Sequence, residues 1–201
     1  MVSFFIIALI FFFSVILHEC AHGWVAYRLG DPTAKEHGRL TLNPIKHVDF
    51  LGTIILPLML VVIGSPVILG WAKPVPVNFA RLRNPKRDMM LVGLSGPMTN
   101  IFLAIILSII LKSNIFPVAI SVLQMGILVN LVLAIFNLIP IPPLDGSRFV
   151  MGLLPARYAY FYAKLERYGI VIVFLLLYFG VLSRLVWPIV VQLARYLGVQ
   201  A

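Results

Sequence analysis

Long apolar runs separated by short basic stretches dominate this sequence and restrict the folds open to it. Only 11% of the 201 residues are charged and 61% are hydrophobic, whereas a soluble domain carries roughly a quarter charged residues. A spanning helix needs about 20 mostly apolar residues. Five runs approach or exceed that length: about 2–29, 50–71, 89–111, 116–141 and 169–197. We therefore expect an all-α integral membrane protein, with a polytopic helical bundle forming one domain over residues 1–201.

The basic residues indicate how these runs cross the bilayer. The 16 Lys and Arg against 7 Asp and Glu give a formal net charge of +9, which in a soluble protein would suggest nucleic-acid binding. Thirteen of the 16 fall in three stretches between apolar runs, and the positive-inside rule places such stretches in the cytoplasm. We expect a multi-pass protein of the cell membrane, in contact with lipid, with no nucleic-acid partner.

The run 50–71 lies between two of these basic stretches, so it cannot cross the membrane once. Pro57, Gly64 and Pro66 interrupt it, which predicts a re-entrant or broken segment. Broken backbone at membrane depth is tolerated where it is buried in protein or lines a watery cavity. The following segment 71–79 carries two prolines and weak alternation, which suit a short cytoplasmic-side β ribbon about as well as an ordinary loop.

The C-terminal part of the chain leaves two interpretations open. Aromatic and charged residues alternate over 158–168 and indicate a helix at the cytoplasmic interface. The run 169–197 contains Arg184 and Pro188. It is either one kinked helix or a span followed by a surface helix, because an arginine is costly within a straight span.

The sequence HECAH lies inside the first apolar run. His18 and His22 stand one helical turn apart, so both imidazoles can reach one zinc ion, and Glu19 lies close enough to act on a metal-bound water. A shuffled chain of this composition would contain HExxH about once in a thousand cases. Ionisable residues within a membrane are costly and indicate function by default.

A catalytic zinc has three protein ligands and an open position, so a third ligand is needed. The candidates are His37, His47, Asp49 and Asp145. The predicted topology brings Asp145, in NLIPIPPLDG, to the same membrane depth as the two histidines and favours it, with a turn aspartate before Gly146 as the alternative. His47 is interpreted as an interfacial residue. Cys20 lies about 200 degrees around the helix from His18 and points away from the metal.

Five segments, in order, resemble the site-2 protease family of intramembrane zinc metalloproteases. They are HECAHGWVAYRLGD, LTLNPIKHVDFLGT, GWAKPVPVN, LSGPMTN and NLIPIPPLDG. The resemblance implies that His18, His22 and Asp145 bind one zinc ion per chain and that Glu19 is the catalytic acid and base. It also implies a minimal catalytic core, because no PDZ-like insertion separates the middle helices.

The family motifs implicate two asparagines as well. Asn100 occupies the polar position of the SGPxxN segment and Asn137 that of NxxPxxPLDG. The resemblance implies that both hold substrate or the developing oxyanion, and interhelical hydrogen bonding is the alternative for each. Asn130 matches no motif and is interpreted as a packing residue.

The resulting hypothesis is an intramembrane metalloprotease that opens to the cytoplasmic side and cleaves transmembrane protein substrates in or near their spans. Glu19 would take a proton from zinc-activated water and deliver it to the leaving amine. A metal-transporting or non-catalytic membrane zinc protein is the alternative. A different HExxH membrane protease class would use a downstream glutamate as third ligand, and Glu166 is the candidate for it.

Overall fold

The fold consists of helices joined by short irregular segments. The computed structural model describes residues 2–64, 70, 72–115 and 119–199, and all regular structure within them is helical. The described residues contain nine α-helices: α1 Val2–Arg28, α2 Thr33–Glu36, α3 Leu56–Val62, α4 Pro85–Ser113, α5 Ile120–Asn137, α6 Asp145–Leu153, α7 Ala156–Ala163, α8 Glu166–Tyr178 and α9 Val181–Tyr196. Short 3₁₀ turns cover Pro44–His47 and Phe79–Arg81, and a π-helical segment covers Phe50–Ile55.

Three of the described helices, α1, α4 and α5, are long and apolar enough to cross a membrane, and the bent pair α8 and α9 makes a fourth span if counted as one. The 29 residues of α4 extend over about 44 Å at 1.5 Å per residue, which exceeds the roughly 30 Å hydrocarbon core. Less than a third of the residues in the apolar part of each long helix are buried. Their remaining apolar surface therefore fits contact with lipid.

The helix α4 lies at the centre of the bundle and packs against α1, α5 and α6. At one end of it, Ala104 meets Ile127 of α5 and Val190 of α9 in a buried apolar cluster. At the other end, Val92 packs against Ala26 of α1. Small residues at such crossings let helix backbones approach closely, which is the usual basis of helix association in membranes.

Two helix boundaries differ from the apolar runs. Helix α4 begins at Pro85, one turn before the predicted start at 89. Pro85 fits the first turn of a helix, and the carboxylate of Asp88 accepts a hydrogen bond from the Asn84 N–H at 2.8 Å. Helix α5 ends at Asn137 rather than 141, because Pro140 disfavours helical backbone in the residue before it.

The predicted re-entrant run 50–71 is described only in part. Its helical portion, Phe50–Val62, has 13 residues and would extend over about 20 Å, which is too short to cross the hydrocarbon core once. The break comes at Gly64, whose φ is +67°, while Pro57 lies in the first turn of α3. Residues 65–69 and 71 lie outside the described residues, so the return path stays a prediction.

The predicted β ribbon is not found. Residues 72–78 form no strand, and Trp71 lies outside the described residues. Two prolines, Pro74 and Pro76, lack the N–H groups that a ladder requires. The N–H groups of Lys73, Val75 and Asn78 bond instead to a carbonyl oxygen at His47 and to side chains on α1 and the loop after it.

The C-terminal run is divided into two helices bent by 73°. The division comes at Gly180, which has a φ of +68°, a left-handed conformation that commonly ends helices. Pro188 lies inside α9. The predicted interfacial helix 158–168 is also divided, since α7 ends at Ala163 and Glu166 already opens α8.

Candidate metal centre

Two side chains from one turn of α1 and a third that is distant in sequence meet where α1, α4 and α6 pack together. His18 and His22 project from one face of α1, and Asp145 is the first residue of α6. The two Nε2 atoms lie 3.0 Å apart. Oδ2 of Asp145 lies 3.0 Å from Nε2 of His18 and 3.2 Å from Nε2 of His22. These are the three residues predicted from the sequence to bind the metal.

The other nitrogen of each imidazole is held by the surrounding helices. Nδ1 of His22 lies 2.7 Å from the carbonyl oxygen of Val92, and Nδ1 of His18 lies 2.6 Å from Oδ1 of Asn100. A carbonyl oxygen only accepts hydrogen bonds, so each Nδ1 carries the proton and donates. In the neutral imidazole, Nε2 then presents a lone pair to the centre, as in histidines that bind a metal.

The three side chains therefore bring hydrogen-bond acceptors together at the centre, and none of the three offers a donor there. Oδ2 of Asp145 is buried and has no hydrogen-bond partner among the described residues. Two imidazole nitrogens and a carboxylate oxygen form a donor set that suits zinc. The residues present thus fit a zinc ion.

Because Gly96 has no side chain, it leaves open the space that this cluster occupies. A Cβ at this position would be 2.5 Å from Nε2 and 2.6 Å from Cε1 of His18, and it would also collide with Nε2 of His22. Gly93, one turn earlier on α4, lies equally close to α6, because a Cβ there would be 3.0 Å from the backbone oxygen of Asp145. These two glycines let α1 and α6 converge over one face of α4.

Glu19 is not part of the three-residue cluster. Its Oε2 accepts a hydrogen bond from the backbone N–H of Val75 at 2.8 Å. The segment 72–78 that supplies this N–H is itself fixed, because the Arg39 guanidinium donates to the carbonyl oxygens of Lys73 and Pro74 at 2.7 and 3.2 Å. A carboxylate beside a metal centre, and outside the ligand set, can exchange protons with a reacting group.

Comparison with known proteins identifies the family of this chain. A family profile described as Peptidase family M50 matches residues 112–180. The Bacillus subtilis protein YwhC is 41% identical over 186 residues, which cover 87% of this chain and 81% of YwhC. The chain belongs to peptidase family M50. This confirms the predicted membership of the site-2 protease family.

Other relatives of this M50 peptidase agree. Rip2 of Mycolicibacterium smegmatis is 29% identical over 94% of the chain and 72% of its own length. MJ0392 of Methanocaldococcus jannaschii is 28% identical over 97% of the chain and 48% of its own length. YwhC and Rip2 carry the name "putative zinc metalloprotease", and MJ0392 carries the name "zinc metalloprotease". No solved structure matches the chain.

The family and these names support a zinc metalloprotease, and the apolar helices support a membrane protein. The other candidate ligands of this M50 peptidase are occupied elsewhere. Asp49 accepts a hydrogen bond from Gly52 N–H at 2.7 Å, and His37 is exposed and bonds the Thr33 oxygen. The Glu166 carboxylate forms a two-point ion pair with Arg148 at 2.5 and 3.1 Å. Asp145 is thus the acid that faces the histidines.

His47 differs from its interpretation as an interfacial residue, because it is completely buried. Its Nε2 lies 2.7 Å from the Thr41 oxygen, and its own backbone oxygen accepts from Lys73 N–H at 2.9 Å. The thiol of Cys20 donates to the same Thr41 oxygen at 3.1 Å and is turned away from the cluster, as expected. His47 and Cys20 thus support the loop beneath the segment 72–78.

The asparagines of the M50 peptidase differ in position. Asn100 is completely buried, and its Nδ2 donates to Oδ1 of Asn130 at 2.8 Å. Asn130 therefore belongs to the network behind His18, although it matches no motif; its signal was a polar amide within a spanning helix. Nδ2 of Asn137 donates to the Leu133 oxygen at 2.9 Å, and a substrate role for Asn137 stays a prediction.

Proposed function

We propose that this M50 peptidase hydrolyses peptide bonds in or near the transmembrane segments of other membrane proteins. The observation that carries the proposal is the meeting of His18, His22 and Asp145 inside a bundle of apolar helices, with Glu19 beside them. The distribution of basic residues supports a centre that opens to the cytoplasmic side. One zinc ion per chain is proposed, because one such cluster exists among the described residues.

The reaction requires a Lewis acid and a proton carrier. A zinc ion held by His18, His22 and Asp145 would supply the first, by activating water and polarising the scissile carbonyl. Glu19 supplies the second: its carboxylate accepts the proton that water loses and returns it to the leaving nitrogen. The Val75 N–H holds Oε2 in place, which leaves Oε1 for this transfer.

Asn100 acts on His18 in this scheme. Both polar atoms of its side-chain amide form hydrogen bonds, Oδ1 with His18 and Nδ2 with Asn130. This arrangement supports a positioning role more than direct contact with substrate, because it fixes the imidazole orientation that a zinc ligand needs. Asn137 is half-buried and remains the better proposal for substrate or oxyanion contact.

The test compares Glu19→Gln with the wild-type full chain in proteoliposomes that contain epitope-tagged single-span proteins. Glutamine can still accept the Val75 N–H but cannot carry the proton, so we expect a loss of cleavage of about 10²-fold or more with zinc content unchanged. Glu36→Gln is the matched control, because Glu36 is exposed and pairs with Arg81. Undiminished cleavage by Glu19→Gln would refute the proposed role of Glu19.

Metal analysis separates the proposed ligand set from its alternative. We expect Asp145→Ala to lose zinc and Glu166→Ala to retain it, because Glu166 pairs with Arg148. The reverse result would favour the class that uses a downstream glutamate. Zinc uptake into the same proteoliposomes, without cleavage of any single-span protein, would favour metal transport instead.

A further inference from the structure

A groove distinct from the metal centre lies at the end of α1. It is open to the surface, has a volume of about 860 Å³ and is lined by Trp24, Tyr27, Arg28, Lys35, Leu40 and Arg83. Half of these six residues are basic, and none is acidic. Its walls come from the last turn of α1, the region around α2 and the loop before α4. The groove therefore concentrates positive charge at the point where the α1 span ends.

The cations of this groove have no carboxylate partner among the described residues. Arg28 lies over the Trp24 ring at 4.8 Å, and Lys35 lies over the Tyr27 ring at 4.8 Å while its Nζ donates to the Tyr27 hydroxyl. By contrast, the nearby Arg81 is paired with Glu36. Basic groups that are held by rings and left without acids retain their capacity for an external anion.

An apolar groove adjoins the basic one. It has a volume of about 560 Å³ and is lined by Trp24, Val25, Arg28, Leu29 and Leu91. Trp24 and Arg28 line both grooves, so the two lie side by side along these side chains. Trp24 and Leu91 are about half exposed. The arrangement joins a cationic compartment to an apolar one across an interfacial tryptophan, the residue type that marks the boundary between headgroups and acyl chains.

We propose that these grooves form a binding site for one anionic phospholipid, with its phosphate among Arg28, Lys35 and Arg83 and part of an acyl chain against Trp24 and Leu91. We choose a lipid because the basic and the apolar groove adjoin along Trp24 and Arg28. A soluble anion would use only the basic groove and would leave the apolar one without an occupant. An acidic protein segment would likewise leave the apolar groove unexplained.

The site adjoins the metal centre without sharing a side chain with it. Leu40 lines the basic groove and also packs over Gly23, where a Cβ would meet Leu40 Cδ2 at 2.8 Å and Val75 Cγ1 at 2.7 Å. Val75 is the residue whose N–H holds Glu19. A bound lipid would therefore stabilise the wall on which the segment 72–78 is packed.

The test uses fluorescence quenching by brominated lipids. Substitution of Trp71 and Trp187 by Phe leaves Trp24 as the only tryptophan of the full chain. This chain is placed in nanodiscs of phosphatidylcholine that contain a fixed fraction of dibrominated phosphatidylglycerol or dibrominated phosphatidylcholine. Each basic residue near an anionic lipid contributes about five-fold in affinity. We expect phosphatidylglycerol to be preferred at Trp24 by at least about five-fold.

Variants and a competitor assign that preference to the groove. Arg28→Gln with Arg83→Gln should reduce it to nearly one-fold, while Arg28→Lys with Arg83→Lys should retain it because the charge remains. Arg157→Gln is the control, since Arg157 is exposed on α7 outside the groove. Equal quenching by the two lipids in the chain with wild-type arginines would overturn the proposal even if the glutamine variants did not fold. Loss of the preference in millimolar inorganic phosphate, or on addition of an acidic peptide, would also overturn it.

Discussion

Gly96→Ala tests the geometry of the metal centre with a single methyl group. Alanine favours helix over glycine by about 1 kcal/mol, so the backbone of α4 would gain from the change. The new Cβ would lie 2.5 Å from Nε2 of His18 and closer still to Nε2 of His22. Any loss of function must therefore come from the collision with the imidazoles.

The size of the effect follows from the distances. Ordinary contact begins at 3.4 Å, so the His18 ring would have to move by about 0.9 Å. Zinc–nitrogen bonds are about 2.0 to 2.1 Å long and tolerate only about 0.2 Å. We expect zinc affinity to fall at least as far as for the loss of a partner behind a ligand, about 10- to 100-fold, or about 1.4 to 2.7 kcal/mol.

The assay measures zinc affinity by chelator competition, with cleavage of a single-span substrate at saturating zinc as a second readout. A ligand displaced by about 1 Å can cost about 10²-fold in rate. The control is Gly126→Ala on α5, where the Cβ would meet only the flexible tip of Leu107, at 2.9 Å, and Ile10 at 4.0 Å. If Gly96→Ala bound zinc and cleaved like Gly126→Ala, the described arrangement of His18 and His22 around α4 would be refuted.

Three further results are expected. Asn100→Leu should lower zinc affinity by about 10- to 100-fold, because His18 Nδ1 loses its hydrogen-bond acceptor. Chelator competition measures this affinity, and an unchanged value would contradict a positioning role for Asn100. Arg148→Met should lower the free energy of unfolding by at most about 1 kcal/mol, because its partner Glu166 is partly exposed. A denaturant or thermal transition measures this change. Zinc content should persist, and its loss would contradict the separation of the Arg148–Glu166 pair from the metal centre. Zinc removal by a chelator should lower Tm, and added zinc should restore it, whereas Asp145→Ala should show no such response.

The meeting of His18, His22 and Asp145 could be predicted because each of the three has a signal in the sequence. The HExxH spacing is a property of one helix and requires no tertiary information. Asp145 required a further step: the basic stretches set the topology, and the topology brought the aspartate to the depth of the histidines. The structure has the same antiparallel arrangement, with the last turns of α1 packed against the first half of α4.

The boundaries of the helices were harder to predict, because hydropathy marks where a segment is apolar, whereas a helix can continue into polar sequence. The apolar run that predicts α4 begins at 89, but capping by Asp88 and a first-turn Pro85 extend the helix into polar sequence. The bend before α9 comes at Gly180 rather than Pro188. A glycine in left-handed conformation is a property of the folded chain, whereas a proline inside a membrane helix can be accommodated by its neighbours.

The surroundings of Glu19 show why the rest of the site could not be derived from side chains alone. The contact that holds its carboxylate is a backbone N–H of Val75, and any residue other than proline could supply one. Arg39 and His47 form hydrogen bonds with the backbone of the segment 72–78, yet neither residue has a motif that assigns this task. The hydrogen bonds that a ladder would have made are therefore used to place the proposed proton carrier. Together with the two prolines, that use accounts for the missing ribbon, and the bond from Lys73 N–H to the His47 backbone oxygen ties the buried His47 to the same segment.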